Sequence, residues 1–235
     1  MSLKLIFHLV AAVHFFYGCY YDFVYVKFPV TKTSPTPFGG KFKYLTYLDA
    51  MILTVYFILA LLNDLIGSNE PNPSHKPWIR RIKDTLFCSL AFPVAMFVGT
   101  TFWGIYAVDR ELILPRTMDE FFPTWLNHVM HTNIVAFILT ELLTSFRMYP
   151  KKKVGLSILS VFMLSYVVWV HVIYFNTGSW VYPILSVLNW PLRIVFYIFN
   201  LVLVCVFYSL GENLNKILWS RQIEKSVKSG KKKAK

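Results

Sequence analysis

Residues 85–108 read TLFCSLAFPVAMFVGTTFWGIYAV, without a single Asp, Glu, Lys or Arg. Crossing the hydrocarbon core of a bilayer takes about 20 mostly apolar residues in a helix, so this stretch alone points to a membrane. A second charge-free run, 155–192, is longer than one crossing and is broken by Pro183 and Pro191. Residues 5–21, 121–140 and 194–211 also lack these charges, and 44–65 hold only Asp49 and Asp64. The expectation is an all-α polytopic membrane protein with six transmembrane helices, near 4–24, 44–66, 85–108, 124–145, 154–174 and 191–211. Barrel strands, about ten residues of alternating character, do not produce such runs. Residues 1–215 then form the transmembrane domain and 216–235 a basic tail.

Composition agrees. The 235 residues are 56% hydrophobic and 15% charged, with a mean hydropathy of +0.49. A soluble domain is typically about 45–50% apolar and about 25% charged. The chain is too apolar for disorder. Its net charge of +12 is not set on the polar scaffold of a nucleic-acid module, so no nucleic-acid partner is expected. Cys19, Cys88 and Cys205 sit in apolar runs at no disulfide, metal or redox spacing.

The charge is informative as a pattern. Of 24 Lys and Arg, 17 fall at the N-terminus (Lys4), in the second loop, in the fourth loop and in the tail from Lys216 onward. The opposite side has Lys27, Lys32, Lys41, Lys43, Arg110, Arg116 and Arg193. Positive charge collects on the cytosolic side, so both termini are expected in the cytosol. Lys4 followed by an apolar stretch resembles a signal peptide, but the stretch ends in the bulky run Tyr17-Gly18-Cys19-Tyr20-Tyr21, so it reads as a retained helix. Pro93 should kink the third helix, and Arg193 should snorkel outward from the sixth. Beside a membrane the tail attracts anionic lipid. Lys232-Lys233-Ala234-Lys235 also resembles a dilysine retrieval signal of endoplasmic-reticulum membrane proteins. Against that stands a plain polybasic anchor, so endoplasmic reticulum and plasma membrane both stay open.

Titratable residues at membrane depth are functional candidates by default. Asp64 and His8 fall near the cytosolic interface, and Glu141 lies near that face or pairs within the bundle. His14 and His171 read as interhelical hydrogen-bonding residues. Helix four is denser: Trp125-Leu126-Asn127-His128-Val129-Met130-His131-Thr132-Asn133 puts His128 and His131 at i,i+3, with Asn127 four residues before His131. Two imidazoles there suit a metal, but a third ligand, an HExxH motif and a cysteine cluster are all lacking, so no metal or cofactor is expected. The alternative is acid–base work. No Gly-x-Ser-x-Gly elbow occurs; the start of helix two offers Thr46 as a partner nucleophile. Helices two and four both begin on the non-cytosolic side, and His131 lies about 10 Å below Trp125 at about 1.5 Å per residue. Asp49, one turn deeper than Thr46, would orient or charge-stabilise an imidazole. A threonine at a helix start more commonly caps it, and spacing leaves both uses open.

Lys43-Tyr44-Leu45-Thr46, Leu90-Ala91-Phe92-Pro93-Val94, Trp125-Leu126-Asn127-His128 through His131-Thr132, Thr177-Gly178-Ser179-Trp180-Val181-Tyr182-Pro183 and Leu210-Gly211-Glu212-Asn213-Leu214-Asn215 resemble the androgen-induced protein family, in order from about residue 40 to residue 219. The resemblance implies a multipass membrane hydrolase that cleaves fatty acid esters of hydroxy fatty acids with a threonine nucleophile and a histidine. Carried over, these fall on Thr46 and His131. It assigns nothing to Asp49 or His128. Asn127, Asn133 or His128 would serve the oxyanion. Asp109-Arg110-Glu111 reads as a charged rim. The rival reading is a non-enzymatic regulator acting through helix contacts on cell-surface coagulation control or caveolar organisation. A transporter is weaker, for want of a line of intramembrane charges.

Overall fold

In the computed structural model, which describes residues 2–27, 38–70 and 77–233 with side chains as far as 226, helix α1 spans Leu3–Val24 and α2 Leu45–Ile66. The Ser2 hydroxyl caps α1 by accepting from the Leu5 amide at 3.2 Å. Helix α3 (Trp78–Leu86) continues through a π turn, Phe87–Ala91, into α4 (Phe92–Asp109). Helix α5 (Thr124–His128) likewise passes through a π turn, Val129–Asn133, into α6 (Ile134–Thr144). Helix α7 (Lys152–Thr177) stops at Gly178, whose φ of +71° suits only a residue without a Cβ. Short α8 (Pro183–Val187), long α9 (Trp190–Leu218) and α10 (Ser220–Lys233) complete the chain.

Among the described residues five helices are long and apolar enough to cross a membrane: Leu3–Val24, Leu45–Ile66, Trp78–Leu112, Lys152–Thr177 and Trp190–Leu218. The expected fourth span, 124–145, is not among them: it is helical through a π turn, as Trp78–Leu112 is, but Asn127, His128, His131, Asn133 and Glu141 make it more polar. The third begins at Trp78 rather than near 85 and carries Arg80, Lys83 and Asp84 into the interior. The last runs to Leu218 instead of 211, and the tail expected as a solvated segment is helical over Ser220–Lys233. Lys232 and Lys233 lie in that helix, while Ala234 and Lys235, like Lys32 and Lys76 of the charge pattern, fall outside the described residues.

Pro93 lies directly after the π turn Phe87–Ala91, in the first turn of α4. The wider winding accommodates a ring that can neither donate nor tolerate an ordinary preceding turn. Glycines let helices touch: a methyl group on Gly155 would come within 2.2 Å of the Tyr208 hydroxyl, and one on Gly99 within 2.9 Å of the His131 carbonyl. Large apolar side chains face outward along α1 and α9, where Phe16, Val195, Ile198 and Phe199 stay more than half exposed. Water would not tolerate such a belt, and lipid suits it.

The polar interior divides into two clusters at opposite ends of α2. At its C-terminal end His8 lies 2.6 Å from Asp64 and 2.8 Å from Glu141. Glu141 also accepts from Tyr56 at 2.5 Å, Ser145 at 3.1 Å and Arg147 at 3.0 Å. The Arg147 guanidinium rests 3.3 Å from the Phe87 ring centre, and its carbonyl accepts from Asn215 at 3.2 Å. This network stitches α1, α2, α6 and α9 together. The N-terminal end of α2 carries the other cluster.

Candidate active site

The chain enters α2 through Gly39 and Gly40, whose φ values of +79° and +49° make the turn, and through a short 3-10 helix, Gly40–Lys43. The first amides of a helix have no acceptor in their own ladder. Here the Leu45 amide donates to the hydroxyls of Tyr166 and Tyr182, each at 3.0 Å. The Tyr166 hydroxyl in turn donates to the Lys43 carbonyl at 2.9 Å. Residues from α7 and the segment before α8 thus pin the start of α2. The Thr46 hydroxyl does no capping: its Oγ1 is 3.2 Å from His131 Nε2.

His131 sits in the π turn and is 5% exposed. Its Nδ1 lies 2.7 Å from Asn127 Oδ1 and 3.0 Å from the Asn127 carbonyl oxygen. A backbone carbonyl only accepts, so Nδ1 carries the proton and Nε2 presents a lone pair to the Thr46 O–H. Phe102 stacks on the imidazole with ring centres 3.5 Å apart and planes 10° from parallel. The ring is therefore fixed in position, tautomer and tilt, with its basic nitrogen on a hydroxyl.

Thr46 and His131 line a cavity of about 890 Å³ whose other walls include Phe97, Phe102, Met163 and Val170. Its polar lining residues include Asp22, Lys43, Tyr166, Ser179, Tyr182 and Asn200. Trp180 stands at its edge, covered by the Arg193 guanidinium at 4.6 Å. Arg193 donates to the Leu185 carbonyl at 2.7 Å, so it folds over this end of the bundle rather than snorkelling freely.

Of the other expected site residues, Asn127 meets the pair through His131, whereas His128, Asn133 and Asp49 make no hydrogen bond to it. On an ordinary helix His128 and His131 would stand about 60° apart; the wider π turn spreads them. His128 faces outward, bonds the Thr132 hydroxyl at 3.0 Å and stacks near Trp103. Asn133 donates to His14 at 3.1 Å, which gives His14 its interhelical bond. His171 instead donates to Val167 of its own helix at 2.8 Å and reaches its neighbours through rings, Trp180 and Trp190. Asp49 is fully buried, and neither carboxylate oxygen meets a hydrogen-bond partner among the described residues. The bond to the imidazole expected of Asp49 is made by Asn127. Arg110 pairs with Asp119 at 2.5 Å and Arg116 with Glu111 at 3.7 Å, forming a rim of charge. Among the described residues no three His, Cys, Asp or Glu side chains gather to hold a metal ion. Sequence reasoning missed Tyr166 and Phe102, and it named Tyr182 only within the family-like stretch Thr177–Pro183 without a role; an aromatic residue with a polar tip in an apolar run is the one trace that Tyr166 leaves.

Comparison with known proteins shows the family. Residues 3–216 match the family described as FAR-17a/AIG1-like protein. The androgen-induced gene 1 protein of Homo sapiens is 40% identical over 209 residues, 86% of this chain and 87% of the relative. The androgen-dependent TFPI-regulating protein of Mesocricetus auratus is 37% identical over 194 residues, covering 82% and 83%. A membrane protein of Schizosaccharomyces pombe is 26% identical over 167 residues, 68% of each chain. No solved structure matches. The chain belongs to the FAR-17a/AIG1-like family.

Proposed function

We propose that this protein is an integral membrane ester hydrolase that cleaves fatty acid esters of hydroxy fatty acids, with Thr46 as nucleophile and His131 as general base. The observation that carries the reading is the 3.2 Å approach of the Thr46 hydroxyl to His131 Nε2, the one imidazole nitrogen left unprotonated by the bonds to Asn127. An apolar cavity opening on that pair supports a lipid substrate. The family resemblance supports the ester class.

In this mechanism Nε2 takes the Thr46 proton as Oγ1 attacks the ester carbonyl. The tetrahedral intermediate collapses, and the imidazolium returns the proton to the departing alkoxide of the hydroxy fatty acid. Water, activated by the same nitrogen, then cleaves the acyl-threonine and releases the fatty acid. The Thr46 amide, in the first turn of α2, is a donor for the oxyanion, where a helix N-terminus favours negative charge. A secondary alcohol is a poor nucleophile, and the stacked, aimed imidazole is what raises its reactivity.

The proposed arrangement has six crossings, the segment Thr124–Thr144 counting as one despite its π turn, and both termini in the cytosol. Thr46 and His131 then lie in the outer half of the bilayer of the endoplasmic reticulum or plasma membrane. The basic tail associates with anionic lipid. The test is turnover of a palmitoyl ester of hydroxystearic acid by reconstituted protein, beside Thr46→Ala and His131→Ala. Loss in both folded variants is the expected result; full turnover in either overturns the assignment.

A further inference from the structure

The cavity carries one charge that the fold leaves uncompensated. Of the residues lining it, Asp22 is the only acid and Lys43 the only lysine or arginine. Asp22 is engaged by Lys41, whose Nζ lies 2.8 Å from its Oδ1. Lys43 forms no ion pair among the described residues, which include every Asp and Glu of the chain. Its Nζ lies 5.2 Å from the centre of the Tyr44 ring, a contact that steadies an ammonium without neutralising it. Burial, followed by the nearby Lys41 charge, pushes the Lys43 pKa below that of an ordinary lysine. A half-buried cation without a counter-ion is unfavourable, and an anion entering the cavity would relieve it.

Position narrows the anion. Lys43 precedes Thr46 by three residues, at most about 10 Å of extended chain, so one lipid molecule reaches both. One ammonium beside the Tyr44 ring, its neighbouring cation Lys41 already engaged by Asp22, suits a singly charged group. Phosphate calls for more donors than one lysine supplies.

We propose that Lys43 is the anion-binding residue of this cavity and pairs with the free carboxylate of a lipid whose ester group lies at Thr46. This deepens the hydrolase reading and rests on it. The preferred substrate carries a carboxylate at the membrane surface and its acyl chains in the cavity, and neutral esters are turned over less well. Lys43 thereby selects among esters that the Thr46–His131 pair alone would not distinguish.

The test uses the full chain in phosphatidylcholine nanodiscs and a matched pair of substrates: the palmitoyl ester of hydroxystearic acid as the free acid and as its methyl ester. The readout is the ratio of kcat/KM for the two. A charge-assisted contact is expected to favour the free acid by roughly tenfold or more, with Lys43→Gln bringing the ratio near one and Lys43→Arg preserving it. A wild-type ratio near one overturns the proposal. So does a Lys43→Gln variant in which both rates fall by one factor, the signature of a purely structural lysine. A second arm does not depend on turnover. In the Thr46→Ala background, hydroxystearate is expected to bind more tightly than its methyl ester, and adding Lys43→Gln abolishes the difference. If the wild type hydrolyses neither ester while this binding difference holds, the hydrolase reading fails and the carboxylate site stands. If binding fails to distinguish acid from ester, the carboxylate site fails.

Discussion

Two buried histidines at opposite ends of the bundle make different use of the same ring. His8 has carboxylate oxygens at both nitrogens, Asp64 at 2.6 Å and Glu141 at 2.8 Å. Both nitrogens therefore donate, and no lone pair is left for chemistry. His131 has one nitrogen held by Asn127 and the other aimed at a hydroxyl. The number of nitrogens satisfied by the fold separates a structural imidazole from a reactive one. The surroundings differ to match. Around His8 the charges close on each other through Glu141 and Arg147, whereas around His131 apolar walls leave an open cavity.

Five substitutions would break or sharpen this contrast. Thr46→Ala and His131→Ala should each lower ester turnover by about 10³-fold or more, within the range expected for a lost nucleophile or general base. Thermal midpoints should stay near wild type, so activity and unfolding scans on the same samples check the effect. Glu141→Ala should do the reverse. It leaves the buried Arg147 charge without its carboxylate and His8 with Asp64 alone, a loss of about 3–5 kcal/mol of stability, measurable by SDS titration of reconstituted protein. Turnover per folded molecule should change little. Gly99→Ala joins the two properties: its methyl group would meet Val135 at 2.4 Å and the His131 carbonyl at 2.9 Å. Overpacking of that kind costs about 1–3 kcal/mol, and the displaced π turn should lower kcat as well as the unfolding midpoint. The smallest effect belongs to Asn127→Ala. It removes one acceptor from Nδ1 while the backbone carbonyl remains, so kcat should drop by roughly tenfold, the value of one hydrogen bond, at near-constant KM.

Much of this was legible in the residues. Charge-free runs long enough for a bilayer marked the helices, because hydrocarbon excludes charge whatever the tertiary structure. Their ends were less visible. Arg80, Lys83 and Asp84 look like a loop in one dimension, yet they are buried in α3 because Lys83 and Asp84 answer each other at 3.5 Å. Thr46 and His131 stood out by residue type and depth, but spacing alone did not join them, since they come from helices 85 positions apart. The π turns were not legible: π winding is a local strain fixed by packing, here Gly99 against the His131 backbone and Pro93 after Ala91. That winding separates His128 from His131 beyond the spacing of an ordinary helix. Of the His8–Glu141–Arg147 network, pairing of Glu141 within the bundle was one of two expectations, but its partners were not named. Each member taken singly resembles an interfacial charge, and only equal depth on α1, α2 and α6 would have grouped them.

The central claim is that Thr46 is made nucleophilic by an imidazole whose free nitrogen it faces. The most direct measurement treats the reconstituted protein with an alkyl fluorophosphonate and maps the adduct by peptide mass spectrometry. The adduct is expected on Thr46 alone, and it should vanish in His131→Ala while Glu141→Ala retains it. Labelling at any other residue, or undiminished labelling of Thr46 without His131, would contradict the account.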